Sequence, residues 1–302
     1  MQFYNKAPFL FRPTQIFRRL CRFLSKRPAG LVKVNLPWRL AIDVNPNETI
    51  GRTVWNTGVH DLVVCEILCR LANPGDVAVD IGANIGIMSG LLAVSVGQNG
   101  KVFSFEPHPE LCARLRANAT SWMKTKGVAP IVVQQLAISS AEGSAVLVSG
   151  PDFAANEGTA SLQEEGNAEG MGKALAVKTT TLAKALKEYS NVGVIKIDVE
   201  GHELDVFKGS LELLAKNALR NIVFEDATGA INQIAELLWS HGYSIYVIEQ
   251  TLFRPILKPI RNQEELRFGY AYANYLATIE PERVMLLLDK SGWSAMRLKP
   301  LA

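Results

Sequence analysis

Not one aspartate or glutamate occurs in the first 42 residues, although the 302-residue chain contains 29 of them. The same stretch holds nine of the 32 lysines and arginines: Lys6, Arg12, Arg18, Arg19, Arg22, Lys26, Arg27, Lys33 and Arg39. The net charge of +3 therefore hides an asymmetry, because removing those nine leaves a body with 23 basic against 29 acidic residues, a net of −6. Cysteine is also scarce. Cys21, Cys65, Cys69 and Cys112 form no disulfide framework, and no second close Cys/His pair joins Cys65 and Cys69 to complete a tetrahedral zinc site. A reducing, cytoplasmic compartment is the expectation. No run approaches the ~20 apolar residues that cross a bilayer. The leader lacks the apolar segment and small-residue cleavage site of a secretory signal.

What the leader does contain is a pattern. Phe9, Leu10 and Phe11 precede Pro13, and Ile16, Phe17, Leu20, Phe23 and Leu24 then recur at helical spacing among arginines. A basic amphipathic helix of this kind suits peripheral contact with an anionic membrane or an acidic partner. It equally suits packing on the chain's own core or on a second copy in a homo-oligomer. No nucleic-acid motif accompanies the charge, so no nucleic-acid partner is expected.

The body alternates between two periods. Helical patterns are expected over 56–72, 87–96, 110–124, 182–189, 204–215 and 231–241. Short apolar strands are expected at 77–80, 101–105, 131–138, 194–197, 221–225, 244–248 and 274–278. Strands that are almost wholly apolar and alternate with helices argue for an α/β fold with a doubly wound, mainly parallel, seven-stranded sheet covered on both faces. The stretch 140–176 breaks the alternation. It is rich in Gly, Ala, Ser and Glu and reads as an insertion with one strand at 145–148 and a mobile loop at 150–172. The expected organisation is a basic extension over 1–55 and one catalytic domain over 56–302.

In such sheets ligands bind at the carboxyl ends of the strands, which is where Asp80, Glu106, Asp198 and Glu225 fall. After the first strand, Asp80-Ile81-Gly82-Ala83-Asn84-Ile85-Gly86 makes a glycine turn leading into a helix. Glycine lets a ligand approach the backbone closely, and the first N–H groups of the helix are expected to face the site unpaired. A dinucleotide fingerprint counted from Gly82 needs glycine at 84 and 87, where the chain has Asn84 and Ile87. A phosphate-cradling P-loop is missing as well. The turn therefore suits a nucleoside ligand without a pyrophosphate, and a nucleotide-dependent oxidoreductase is the weaker alternative. Glu106 lies twenty residues beyond Gly86, at the end of the second strand, where a carboxylate can accept both hydroxyls of a ribose.

Val77–Gly86 and Phe103-Ser104-Phe105-Glu106-Pro107-His108-Pro109 resemble the first two motifs of class I S-adenosylmethionine-dependent methyltransferases. Together with Lys196-Ile197-Asp198-Val199-Glu200-Gly201-His202-Glu203, they resemble more narrowly the FkbM family, over about 75–250 of the chain. The resemblance implies a Rossmann-like fold with S-adenosylmethionine as methyl donor. It places Asp80, Gly82, Ala83, Asn84 and Gly86, then Glu106 and Pro107, then Ala137 and Asp198, around that donor. It further implies methyl transfer to a hydroxyl of a sugar, a polyketide or another secondary metabolite, so the partner is a small-molecule or glycan acceptor.

A hydroxyl is a weak nucleophile at neutral pH and needs a base within hydrogen-bond reach. Asp198 is expected beside the positive methionine end of the donor. Glu200 and His202 are the candidate bases, with the carboxyl of Glu200 raised by burial or by Asp198. The same carboxylates with Glu203 and Glu225 allow a divalent metal, which the resemblance does not require, so none is assigned. The resemblance suggests that 56–61 closes over the cofactor, with His60 and Asp61 as contacts, and a surface loop is the equal alternative; His108, next to Pro107 near the adenosine edge, suits stacking on adenine or simple exposure. A non-catalytic binding protein on the same fold is the remaining alternative.

Overall fold

The computed structural model describes residues 27–149, 160–163, 173–226, 229–266 and 274–300. The helix anticipated in the leader and most of the loop anticipated at 150–172 lie outside them. The described chain begins with an antiparallel hairpin, β1 (Val32–Asn35) and β2 (Ala41–Val44). Helix α1 (Thr49–Thr57) starts where the Glu48 carboxylate accepts the N–H groups of Ile50 and Gly51, each at 2.7 Å, a side-chain cap for otherwise orphaned donors. It ends at Gly58, whose φ of 82° is left-handed. Asp61 then caps α2 (Leu62–Leu71) by accepting the Val64 N–H at 3.2 Å. The helix expected over 56–72 therefore begins only at Leu62, because Gly58 breaks it.

Strand β3 (Val77–Ile81) leads to α3 (Ile87–Val96), which is buried on all sides. Next come β4 (Lys101–Phe105), α4 (Pro109–Trp122) and β5 (Ile131–Gln134). The single strand expected over 131–138 stops at Gln134, and β6 (Ala137–Ile138) turns away into a second sheet. That sheet continues with β7 (Gly143–Ser149), β8 (Ala160–Gln163) and β9 (Lys173–Thr180), in the order β6-β9-β7-β8. The insertion thus carries more regular structure than its composition promised, including a strand where only a loop was expected.

The short α5 (Leu182–Ala185) returns the chain to β10 (Val194–Ile197). The helix expected over 204–215 is two, α6 (Glu203–Lys208) and α7 (Leu211–Ala215). They part at Gly209, where a Cβ would stand 2.0 Å from the Ser139 carbonyl oxygen. β11 (Asn221–Glu225), α8 (Ile231–Ser240), β12 (Ser244–Gln250), β13 (Pro255–Ile260), α9 (Gln263–Leu266), β14 (Asn274–Thr278) and α10 (Pro281–Leu288) complete the order.

The main sheet has eight strands in the order β13-β12-β14-β11-β10-β3-β4-β5. Strands β5, β4, β3, β10 and β11 run parallel, while β14 is antiparallel to both β11 and β12. The seven expected strands are all present, and the eighth is β13, a hairpin partner of β12. Side chains alternate across the sheet as the pleat requires. Ala78, Val102, Val194 and Val223 face one core with α1 to α4 and α10. Val79, Phe103, Ile195 and Ile222 face the other with α5 to α8.

The hairpin and α1 belong to the first core. Trp38, Leu40, Ile42, Val44 and Val54 are all buried in it, and the indole N–H of Trp122 donates to the Ala41 carbonyl at 2.6 Å. The chain's other end is tied to α2 by a buried pair. Glu66, fully buried, accepts Arg70 Nε at 2.5 Å and the N–H groups of Ser294 and Ala295 at 2.7 and 2.8 Å. Arg70 donates onward to the carbonyls of Leu287, Lys290 and Gly292. Among the described residues no helix is long and apolar enough to cross a membrane.

Candidate active site

The chain runs outward from β3 to β4 and β5, then returns to the other side of β3 as β10. This reversal opens a crevice between neighbouring strand ends, the standard ligand position in open α/β sheets. A cavity of about 300 Å³ lies there. Its floor is the ends of β3, β4, β10 and β11, and its walls include Thr49, Ile50, His60 and Asp61 on one side and Leu147 and Leu162 of the second sheet on another.

At the end of β3 the backbone of Gly82 takes φ +72°, and a Cβ there would lie 1.8 Å from the Asp198 carbonyl oxygen. Only glycine lets β3 and β10 approach so closely. The N–H groups of the turn ahead of α3 are engaged within the protein. Gly82 and Ala83 both donate to the Phe105 carbonyl at 3.0 Å, and Gly86 donates to Ala83 at 2.8 Å. Asn84 donates to Glu106 Oε2 at 2.8 Å, and Ile85 to the Asn84 side chain at 2.7 Å. The turn has closed on itself and on β4. These bonds engage the turn's own donors, while α3 begins at Ile87 with no side-chain cap.

Gly82, Ala83, Asn84, Glu106, Pro107, His108, Ala137, Asp198, Glu200, His202 and Glu225 all line the cavity. Asp80 and Gly86 do not. Asp80 is wholly buried behind the wall, where its Oδ2 accepts the Ser89 hydroxyl at 2.6 Å. Gly86 precedes α3 with φ 96°, and a Cβ there would meet Leu115 at 2.4 Å. Both shape the turn from beneath.

Glu106 is 6% exposed. Each of its oxygens accepts one backbone N–H, from Asn84 at 2.8 Å and from His108 at 2.9 Å. A second lone pair on each remains for a ligand. Burial pushes this carboxyl up to about 7, against the pull of those two N–H donors.

The residue the sequence reading passed over is Lys196. Its Nζ lies 3.7 Å from Asp80 Oδ1 and 3.1 Å from Asp198 Oδ2, and it donates to the Gly82 carbonyl at 3.1 Å. It joins the glycine turn to the β10 turn. Burial opposes its charge, but Asp198 and Asp80 outweigh that and hold the ammonium above the ordinary lysine range. Its signal was available: a lysine inside the apolar strand Val194–Ile197 needs buried partners.

Beyond β10, Glu200 has φ 51°, a strained value for a non-glycine residue. Its carboxyl makes no hydrogen bond among the described residues. Loss of hydration, then the neighbouring Asp198 and Glu203, push it up to about 7. His202 is more engaged. Its Nε2 is 2.8 Å from the Ser139 hydroxyl and its Nδ1 3.6 Å from Asp205. Burial holds its imidazole below the usual range. Glu225, at the tip of β11, is likewise pushed up to about 7 by burial, then by Asp198, Asp61 and Glu200.

His60 and Asp61 stand opposite. Burial lowers the histidine against the attraction of Asp61 and Asp198, and its Nδ1 is buried without a hydrogen-bond partner among the described residues. Thr49, Ile50, Leu147, Leu162 and Asn274 also line the cavity, and nothing in their local sequence marked them. Among the described residues no three His, Cys, Asp or Glu side chains converge in a metal-holding arrangement.

The cavity therefore offers a diol acceptor at the β4 end and clustered carboxylates at the β10 and β11 ends. Three strand spacings separate the tips of β4 and β11, roughly 14 Å at ~4.8 Å each. An elongated nucleoside with hydroxyls at one end and positive charge at the other fits this polarity.

Fold and site together define a Rossmann-like, S-adenosylmethionine-dependent methyltransferase. More narrowly, the chain belongs to the methyltransferase FkbM domain family, whose model matches residues 80–245. It is 31% identical over 207 residues to the 31-O-demethyl-FK506 methyltransferase FkbM of Streptomyces tacrolimicus, covering 60% of this chain and 77% of that one. It is 30% identical over 163 residues to the hexuronic acid methyltransferase AglP of Haloferax volcanii, covering 53% of this chain and 59% of the relative. Among solved structures, the methyltransferase FkbM of Methylobacillus flagellatus is 13% identical with a TM-score of 0.44, covering 77% of this chain and 56% of that one. A likeness at that score adds nothing to what the strand order establishes. His60, Asp61 and Asn274 lie outside the matched segment.

Proposed function

We propose that this chain transfers a methyl group from S-adenosylmethionine to a hydroxyl of a small-molecule or glycan acceptor. Glu200 carries the reading: a cavity-facing carboxylate with no hydrogen bond among the described residues, pushed up to about 7 by burial and its acidic neighbours. The donor supplies a methyl group already activated by positive sulfur, so the protein must align acceptor and donor and take one proton. As the acceptor oxygen forms its bond to carbon, the S–C bond breaks with its electron pair on sulfur, and the hydroxyl proton passes to Glu200. His202 is less free for this task, because Ser139 and Asp205 flank both ring nitrogens. Glu106 holds the ribose, and Asp198 faces the methionine end.

Hydroxyl transfer agrees with the name of the Streptomyces relative.

Calorimetry with S-adenosylmethionine and S-adenosylhomocysteine tests the donor half. Micromolar binding is expected, and Glu106→Gln weakens both ligands roughly 10- to 100-fold, from ~1.5–3 kcal/mol for a hydrogen bond to a charged group. Transfer of labelled methyl to a panel of hydroxylated acceptors tests the rest. Binding of NAD in preference to both ligands would overturn the reading.

A further inference from the structure

We infer that the carboxylates of this cavity read the charge on the donor's sulfur, so that the chain holds the sulfonium donor more tightly than the neutral thioether product. The inference rests on the methyltransferase reading and adds a rule for product release.

The carboxylates converge from three elements: Asp61 from the start of α2, Asp198 and Glu200 from the turn after β10, and Glu225 from the tip of β11. They are close enough to feel one another. Glu225 senses Asp198, Asp61 and Glu200, and Glu200 senses Asp198 and Glu203. The cation facing them is Lys196, whose ammonium is already tied to Asp80, to Asp198 and to the Gly82 carbonyl. Burial keeps His60 and His202 below their usual range, so neither adds a positive charge at neutral pH. Glu106 on the ribose side and Glu203 behind the turn are both raised by burial and supply no positive charge either. Negative charge is in excess on this wall.

When the methyl group leaves, the S–C electron pair stays on sulfur and one positive charge disappears. The donor's ammonium and carboxylate are unchanged. The affinity difference between donor and product is therefore the response of this wall to one unit charge. In an effective dielectric of about 20, a unit charge even roughly 12 Å away shifts binding about tenfold. Glu200 and Glu225, both near 7, are ionised at pH 8 and protonated at pH 6. The preference is present above 7 and shrinks as pH falls through it. A bound cation favours the ionised forms, so sulfonium binding near pH 7 expels protons and thioether binding expels fewer.

Calorimetry of the full chain with S-adenosylmethionine and S-adenosylhomocysteine, at pH 8 and pH 6, needs no acceptor. The donor is expected to bind about tenfold tighter or more at pH 8, with the ratio falling to within about threefold at pH 6. At pH 7, two buffers of different ionisation heat read the proton release. Glu225→Gln should lower the pH 8 ratio several-fold while the thioether affinity stays in place, which also reports that the variant is folded. A ratio at or below one at pH 8, a ratio independent of pH, or equal weakening of both ligands by Glu225→Gln would overturn the inference. Failure of either ligand to bind overturns the methyltransferase reading itself, and this inference with it.

Discussion

Replacing Lys196 with methionine preserves the length of the side chain and removes its charge. Three partners lose the ammonium: the Gly82 carbonyl, Asp198 and Asp80. Asp198 is 38% exposed on its side chain, so water can replace the lysine there. Asp80 is wholly buried and is left with Ser89, whose hydroxyl donates to it at 2.6 Å and whose backbone N–H also favours its charge. An uncompensated buried carboxylate costs about 3–5 kcal/mol, a large part of the ~5–15 kcal/mol that holds a typical domain folded. Lys196→Met should therefore lose that amount in urea unfolding at pH 8, and adding Asp80→Asn should recover most of it.

The pH dependence follows from Asp80. Burial already raises this carboxyl above the usual range, against the pull of Lys196 and Ser89. Without the lysine it rises further, so the folded state binds more protons than the unfolded one. Stability then falls as pH rises, and the deficit should be larger at pH 8 than at pH 5. A loss under ~1 kcal/mol, against the buried-pair expectation, or a loss equal at both pH values would refute the reasoning.

Gly82→Ala places a methyl group against the Asp198 carbonyl in a left-handed backbone. Thermal unfolding should report a loss of about 2–5 kcal/mol from strain and overpacking, together with loss of donor binding. Glu200→Gln should lower kcat roughly 100-fold or more and flatten the rise in rate that wild type shows as pH climbs through about 7, with S-adenosylhomocysteine binding retained. Glu66→Ala strips Arg70 and the Ser294 and Ala295 N–H groups of their buried acceptor. Chemical denaturation should register about 3–5 kcal/mol, and protease should cut near 287–296 first.

Much of the main sheet was legible because its strands are apolar runs set between helices, a pattern that burial on both faces imposes. The breaks were less legible because each depends on a distant contact. Gly209 divides a helix only because Ser139 comes within 2.0 Å of its missing Cβ, and no local pattern records that approach. The hairpin of β1 and β2 escaped notice because its strands are four residues each and its burial comes from α4, some eighty residues further on. In the site, Glu106, Asp198 and Glu200 were visible as polar residues at the ends of apolar strands. The same logic misplaced Asp80, which also ends an apolar strand but turns inward to Ser89 and Lys196. Leu147 and Leu162 were beyond reach, since an apolar residue on a cavity wall looks like any other until the second sheet is seen against the first.

That second sheet has a consequence for how the family can diversify. Its first and last strands lie side by side, with Ala137 opposite Thr179 and Ile138 opposite Thr180. Between them β7 and β8 pair within this second sheet, and they deliver Leu147 and Leu162 to the cavity. A cassette with adjacent entry and exit can be exchanged, lengthened or reshaped while Gly82, Glu106 and Lys196 stay in place. Grafting 143–178 from a relative, with Ala137 and Ser139 kept, tests whether the second sheet sets the acceptor independently of the donor pocket.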